Sequence, residues 1–500
     1  MEVKFETKSV SAYRECLHQI KRTQVSMESV VPDVSDDIGR IITVRPTVLL
    51  KSKDLTSDGI SISGELSITL LYINELENAV GDLHMSQTFT LLYDAADTDQ
   101  NDQAQIKLFV SNADAHILNS RKVSVTVEVC GELSVFRPDE IRTECGAPEN
   151  DAFMIFAKRD REEGALINAV CEKTFVVNEQ FVFPPEDPAP KRIASHTVDF
   201  SIRERQLIGS KVLMKGTVNV DALYFSDGTE YPSQAVFSAP FSQLVDIGQE
   251  KMDLCSVQVE PTSVYFNLID TISGEKAIDA EIHAVAEVVS RYGFDLQYVS
   301  DAYSCLMPSE LDYEPWHIAK LKSEDSVSME TDAEIELPEE CTEILTVLPS
   351  LGQTSLGPDK SEIFLSLDLL YRNTGDALSS TRRTLSMTAK GRAGEIGSCT
   401  ARLLECAHRS AGNRLELHMS AELICEEKCE AEVRSVVSMD LNEELPYDAQ
   451  SLPSVTVVRV DNESLWDLAK SYHSSCERIE ALNEIDGSIK GKLLLIPKHK

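Results

Sequence analysis

Three alternating segments, each ending in tyrosine, recur along this chain at intervals of roughly 150 residues. They read Gly64-Glu-Leu-Ser-Ile-Thr-Leu-Leu-Tyr72, Gly216-Thr-Val-Asn-Val-Asp-Ala-Leu-Tyr224 and Ile363-Phe-Leu-Ser-Leu-Asp-Leu-Leu-Tyr371. A period of two places one face on a core and the other toward solvent or a neighbour, so each segment is predicted as a strand. Upstream of each lies a leader ending in proline: Val25 to Pro32, Phe175 to Pro184 and Val327 to Pro338. The steps from Pro32 to Tyr72, Pro184 to Tyr224 and Pro338 to Tyr371 are 40, 40 and 33 residues. Further alternating strands start at Lys122, Lys276 and Arg414, and a fourth landmark follows as Asp151-Ala-Phe153, Asp301-Ala-Tyr303 and Asp448-Ala-Gln450. Landmarks in one order at one spacing mean three related units.

In the first unit, strands are expected at about 42–52, 60–73, 85–93, 105–118 and 121–136, with turn signals such as Ser57-Asp-Gly59 between them. Strands in series with short turns predict antiparallel sandwiches or barrels. The segments 10–20 and 154–172 are compatible with short helices. Five hundred residues exceed one hydrophobic core, so the chain divides into units at 1–160, 161–320 and 321–450, with a last module at 451–500.

The net charge of −36 opposes nucleic acid and anionic membrane as partners, since phosphate recognition needs clustered Lys and Arg. Twelve cysteines are scattered without a CxxC pair, as in a reducing compartment. The first twenty residues hold no apolar signal core, and no run approaches the length of a membrane span, so a cytoplasmic protein is expected. There is no Gly-rich phosphate loop, no G-x-S-x-G and no H-E-x-x-H. The densest Cys/His set is Cys399, Cys406, His408, His418, Cys425 and Cys429. Its spacing fits no zinc finger or ribbon, and buried thiols are the expectation. Carboxylate neighbours such as Glu339 and Glu340 read as solvated acidic surface. The expectation is a protein without catalytic residues, metal or cofactor.

The last fifty residues differ from the body, with seven acidic and seven basic residues from Pro453 to Lys500. They read Val455-Thr-Val-Val-Arg459, Asn462 to Lys470, Ile479 to Asn483 and Gly491 to Pro497. This pattern resembles a LysM module, a small βααβ unit that in many proteins binds N-acetylglucosamine polymers. Ser464 is placed to cap the first helix near Asp467. Leu465, Leu468, Ala469, Tyr472, Ile479, Leu482, Leu493, Leu495 and Ile496 are the expected core. By the resemblance, two loops form the groove: Asn462, Glu463, Ser464, Leu465 and Trp466 on one side, Asn483, Glu484, Ile485 and Asp486 on the other. Trp466 has two readings, a packing residue or an aromatic at the groove edge. Asn462 stands where the usual loop has glycine, and Glu463, Glu484 and Asp486 make the rim acidic.

The proline-ended leaders, Leu-Tyr strands and Asp-Ala-Tyr element resemble SPOCS domains of spore-coat proteins. With a LysM at the carboxy end, the chain is similar to the SipL family of spore coat and cortex morphogenesis proteins. The third unit departs most, with Ile363 in place of glycine and Gln450 in place of an aromatic. The resemblance implies three tandem antiparallel SPOCS units followed by LysM, mainly β throughout. It implies a non-enzymatic scaffold at the forespore surface in the mother cell, docking through LysM to the coat basement-layer morphogenetic ATPase. The alternative is a peptidoglycan-binding protein of cortex or wall that takes N-acetylglucosamine glycan.

Overall fold

The computed structural model describes all residues except 1, 6, 34, 57, 76–77, 96–97, 100, 145–152, 321–324, 339–340, 358, 391–394, 412–413, 429, 445, 448–452, 486–487 and 499–500. Asp151, Glu339, Glu340, Cys429, Asp448 to Gln450 and Asp486 therefore lie outside the described residues. The chain is mainly β. The first unit contains β1 (Glu2–Lys4), β2 (Thr7–Val30), β3 (Ile38–Thr56), β4 (Gly59–Asn74), β5 (Val80–Tyr93), β6 (Gln103–Asn119) and β7 (Lys122–Glu144). The second has β8 (Ile155–Val182), β9 (Pro190–Ile208), β10 (Lys211–Ser226), β11 (Ser233–Asp246), β12 (Leu254–Asp270) and β13 (Lys276–Ser304). The third has β14 (Ser309–Ala319), β15 (Asp325–Glu336), β16 (Cys341–Leu356), β17 (Lys360–Asn373), β18 (Leu378–Lys390), β19 (Glu395–Ala411), β20 (Arg414–Lys428) and β21 (Glu430–Leu441). A carboxy-terminal module follows as β22 (Val455–Arg459), α1 (Leu465–Ser471), α2 (Cys476–Asn483) and β23 (Leu493–Pro497).

Each unit repeats one plan. A three-strand meander (β3-β4-β5, β9-β10-β11, β16-β17-β18) packs on a second sheet, in which the leader strand pairs with the second strand of the following hairpin. Those second sheets are β2-β7-β6, β8-β13-β12 and β15-β20-β19, the first two joined at Tyr13 and Ile167. The repeated landmark is the central meander strand. Its inward residues fill the sandwich of their own unit: Leu66, Ile68, Leu70 and Tyr72 in the first, Val218, Val220 and Tyr224 in the second, Leu367, Leu369 and Tyr371 in the third.

The leucine before each tyrosine points the other way. Leu71, Leu223 and Leu370 meet in one cluster drawn from all three units. A β-bulge on the first meander strand sits opposite each Leu-Tyr step, between Ile41 and Thr43, between Ile193 and Ser195, and between Ile344 and Thr346. The extra residues, Ile42, Ala194 and Leu345, join the same shared cluster. A bulge turns an added side chain out of the alternation, and here it supplies the apolar contact between units. A second bulge recurs opposite the landmark's first residue. At Gly216 the chain comes so near that an added Cβ would lie 2.0 Å from the Ser201 carbonyl oxygen.

Segments 10–20 and 154–172 are not helical. Residues 10–20 lie in β2 and 155–172 in β8, paired with β7 and β13 except at bulges at Cys16 and Asn168. Short amphipathic stretches fit either period, and a distant ladder partner decides between them. These ends extend each leader beyond its sandwich, so residue 160 falls inside β8. The extensions of the second and third units, together with β1, pack around Phe5, Val299, Ala302, Val436 and Met439.

Polar contacts join every pair of units. Thr43 donates to Asp368 at 2.7 Å, Arg45 reaches Asp221 at 2.8 Å, and Arg402 donates to the Phe200 carbonyl at 2.7 Å. Lys53 of the first unit meets the buried Glu287 and, at 2.6 Å, Glu172 of the second. Burial works to lower the Lys53 pKa, but Glu287 and Glu172 carry it above its ordinary value. Asp82 of the first unit is gripped by Arg192 of the second and accepts from His84 at 2.8 Å. Burial works to raise the Asp82 pKa, yet those hydrogen bonds outweigh it and hold the carboxyl at about 2.

Two outcomes are expected. Lys53→Met strands Glu287 without its cation and should cost about 3 kcal/mol in denaturant unfolding, most of it recovered in Lys53→Met/Glu287→Met. Asp82 binds its proton less tightly folded than unfolded, so its stabilisation is complete above the ordinary carboxylate pKa. It should fade by about 2 kcal/mol as pH falls from about 4 to about 2. Arg192→Met should flatten that part of the acid unfolding curve relative to the parent.

Candidate binding site on the carboxy-terminal module

The module is a two-stranded antiparallel sheet, β22 with β23, closed by two short helices. Ser464 caps α1, its hydroxyl accepting from the Asp467 N–H at 3.2 Å, while the Asp467 carboxylate accepts from the Ser464 N–H at 3.0 Å. This reciprocal pair satisfies two backbone donors at the helix start. Ser475 caps α2 with its hydroxyl alone, which accepts from the Arg478 N–H at 3.4 Å. Val460, Leu468, Ala469, Ile479, Leu494 and Ile496 form the small core.

That core is not closed by the module alone. Tyr303 and Cys305, at the end of β13, are buried within it. The Tyr303 hydroxyl donates to the Ser474 carbonyl at 2.7 Å, and the Cys305 thiol lies 3.3 Å from the same oxygen. Burial raises both, the thiol up to about 12. Trp466 packs its ring against Tyr303 edge-on, centroids 4.9 Å apart, and its indole N–H donates to Asp301 at 2.7 Å. Lys470 reaches both Asp301 oxygens at 2.7 and 2.9 Å. The Asp301-Ala-Tyr303 landmark thus holds the module on the second unit. Trp466 is a half-buried packing residue turned to the body.

The two loops expected to form a groove are mostly engaged internally. Glu463 accepts from the Asp461 and Asn462 N–H groups at 2.9 and 3.1 Å, and backbone hydrogen bonds hold its carboxyl below the usual range. Asn483 is a staple: its amide donates to the Ile479 and Leu495 carbonyls at 2.7 and 2.6 Å and accepts from the Leu495 N–H at 2.7 Å. Glu484 ends α2 in the left-handed region at φ 46, where it caps the helix. Leu465 and Ile485 pack on the module core. Asn462, Glu463, Ser464 and Glu484 are exposed on these loops, Ser464 being spent as the cap.

Four expected core residues lie outside. Leu493 and Leu495 are 69% and 40% exposed, Leu482 is 45% and Tyr472 38%. A strand of consecutive apolar residues has two apolar faces, and pairing of Val457 with Leu495 turns Leu494 and Ile496 inward. Val455 and Val457 stand on the outer face with Leu493 and Leu495, so one of the hairpin's two apolar faces is turned to solvent, edged by Arg459 opposite Leu493. The run Leu493-Leu494-Leu495-Ile496 carries that signal in the sequence.

Residues 37–118 and 190–269 match the family model described as SipL, SPOCS domain. Both segments are similar to the SipL SPOCS domain. They span the same four strands, β3 to β6 and β9 to β12, together about a third of the chain. The third unit repeats their strand plan outside the matched residues. No curated protein and no solved structure matches the chain. No helix among the described residues is long and apolar enough to cross a membrane, and among them no three His, Cys, Asp or Glu side chains are grouped to hold a metal ion.

Trp466→Ala should lower the stability of the module by about 3 kcal/mol and speed proteolysis after Leu441, because it removes a packed ring and one bond to Asp301. Asp301→Asn should give a smaller effect in the same direction. Unchanged proteolysis in both variants would refute the dock on β13.

Proposed function

We propose that this chain is a non-enzymatic scaffold of endospore coat assembly, working in the mother-cell cytoplasm at the forespore surface. Its carboxy-terminal module, read as LysM, docks to the coat basement-layer morphogenetic ATPase. The two SPOCS-like segments support a sporulation role. The observation that carries the docking reading is the exposed apolar face of Val455, Val457, Leu493 and Leu495. An apolar face with a polar edge suits protein contact. The loops expected to take a glycan carry Glu463 and Glu484, and Asn483 is committed to the fold. Three joined units behind one dock add avidity to any polymeric partner.

The full-length chain should bind the ATPase in a pull-down and by titration calorimetry. Val457→Glu and Leu495→Glu should each weaken that binding about tenfold or more without lowering the melting temperature. Binding to N-acetylglucosamine oligomers in place of the ATPase would overturn the docking reading in favour of wall-glycan recognition.

A further inference from the structure

Two cysteines of the third unit face one another across a strand pair. Cys399 on β19 is the register partner of Cys425 on β20, and their sulfur atoms lie 3.6 Å apart. Cys425 is fully buried in the third sandwich, while Cys399, packed against the same core, is partly exposed. The cysteines on the corresponding hairpins of the other units have no such neighbour in register: Cys130 pairs with Phe109, and Cys255 with Ser290. A disulfide requires sulfur atoms about 2.05 Å apart. Residues directly opposed in an antiparallel ladder lie about 4.5–5.5 Å apart at Cα, within the span a disulfide bridges.

We propose that Cys399 and Cys425 form a reversible dithiol–disulfide pair that responds to small-molecule disulfides. Cys399, the more exposed of the two, loses its proton and attacks one sulfur of the small disulfide, giving a mixed disulfide and releasing one small thiolate. Cys425 then loses its proton and attacks the Cys399 sulfur, expelling the second small thiolate. The two cysteine protons end on the two small thiols. One disulfide is reduced and one formed, so atoms and electrons balance.

The position gives the bond a consequence. The Cys399 carbonyl and the Thr400 hydroxyl accept from Lys107 of the first unit at 3.4 and 2.5 Å. Arg402, three residues on, reaches Asp199, Phe200 and Ser201 of the second. β19 is therefore one of the strands by which the third unit holds both others. A crosslink to β20 restrains β19 and tightens that hold.

The test uses the full chain equilibrated in oxidised and reduced glutathione mixtures, then acid-quenched, alkylated and mapped by mass spectrometry. The expected product joins the Cys399 and Cys425 peptides, lighter by two hydrogen atoms, and forms at a lower proportion of oxidised glutathione than any other link. Melting temperature should rise on oxidation in the parent and not in Cys399→Ser or Cys425→Ser. The parent mapping stands alone should either variant fail to fold. Recovery of Cys399 only as a glutathione adduct, with Cys425 still a thiol across the whole range, would overturn the proposal.

Discussion

The contact on which the arrangement of the body depends is the apolar cluster where Leu71, Leu223 and Leu370 meet. A sandwich strand ordinarily spends one face on its own core and gives the other to solvent. Here the outer face is polar through the middle of the strand and apolar at its end, and a bulge on the neighbouring strand adds Ile42, Ala194 or Leu345 to it. The tyrosine beside each leucine closes the sandwich within the unit. One dipeptide therefore serves both levels of structure, which accounts for its recurrence.

Besides the apolar contacts, polar ones join the units, and their partners differ from pair to pair. The first and second units share Lys53 with Glu287 and Asp82 with Arg192. The first and third share Thr43 with Asp368, and the second and third share Arg402 with Asp199. Repeated apolar contact supplies attraction that would suit any pairing, whereas distinct charged pairs discriminate among pairings. The three units share a common core plan and differ at the surfaces that tell them apart.

The module shows how a repeated landmark acquires a separate use. Asp301 and Tyr303 belong to the repeat by sequence, yet in the second unit they complete the core of another domain. This turns Trp466 inward to the body and leaves the hairpin's apolar face outward. The face the module leaves to solvent is thus set by which side of it the body occupies.

The alternation in Gly64 to Tyr72, Gly216 to Tyr224 and Ile363 to Tyr371, with its turns, determined the mainly β class, the three related units and the principal strands of the first. Ser464 and Asp467 likewise determined the start of α1, because a cap is written within four residues. Tertiary structure alone decided the rest. Segments 10–20 and 154–172 become strands because β7 and β13, far along the chain, pair with them. Leu493 and Leu495 lie outside because the register with β22 chooses one of two apolar faces. Asn483 is spent on β23 and Trp466 on Asp301, contacts that no local pattern announces. The physical reason is the same in each case: periodicity is a property of neighbours in sequence, while register, bulges and docking are settled by partners distant in it.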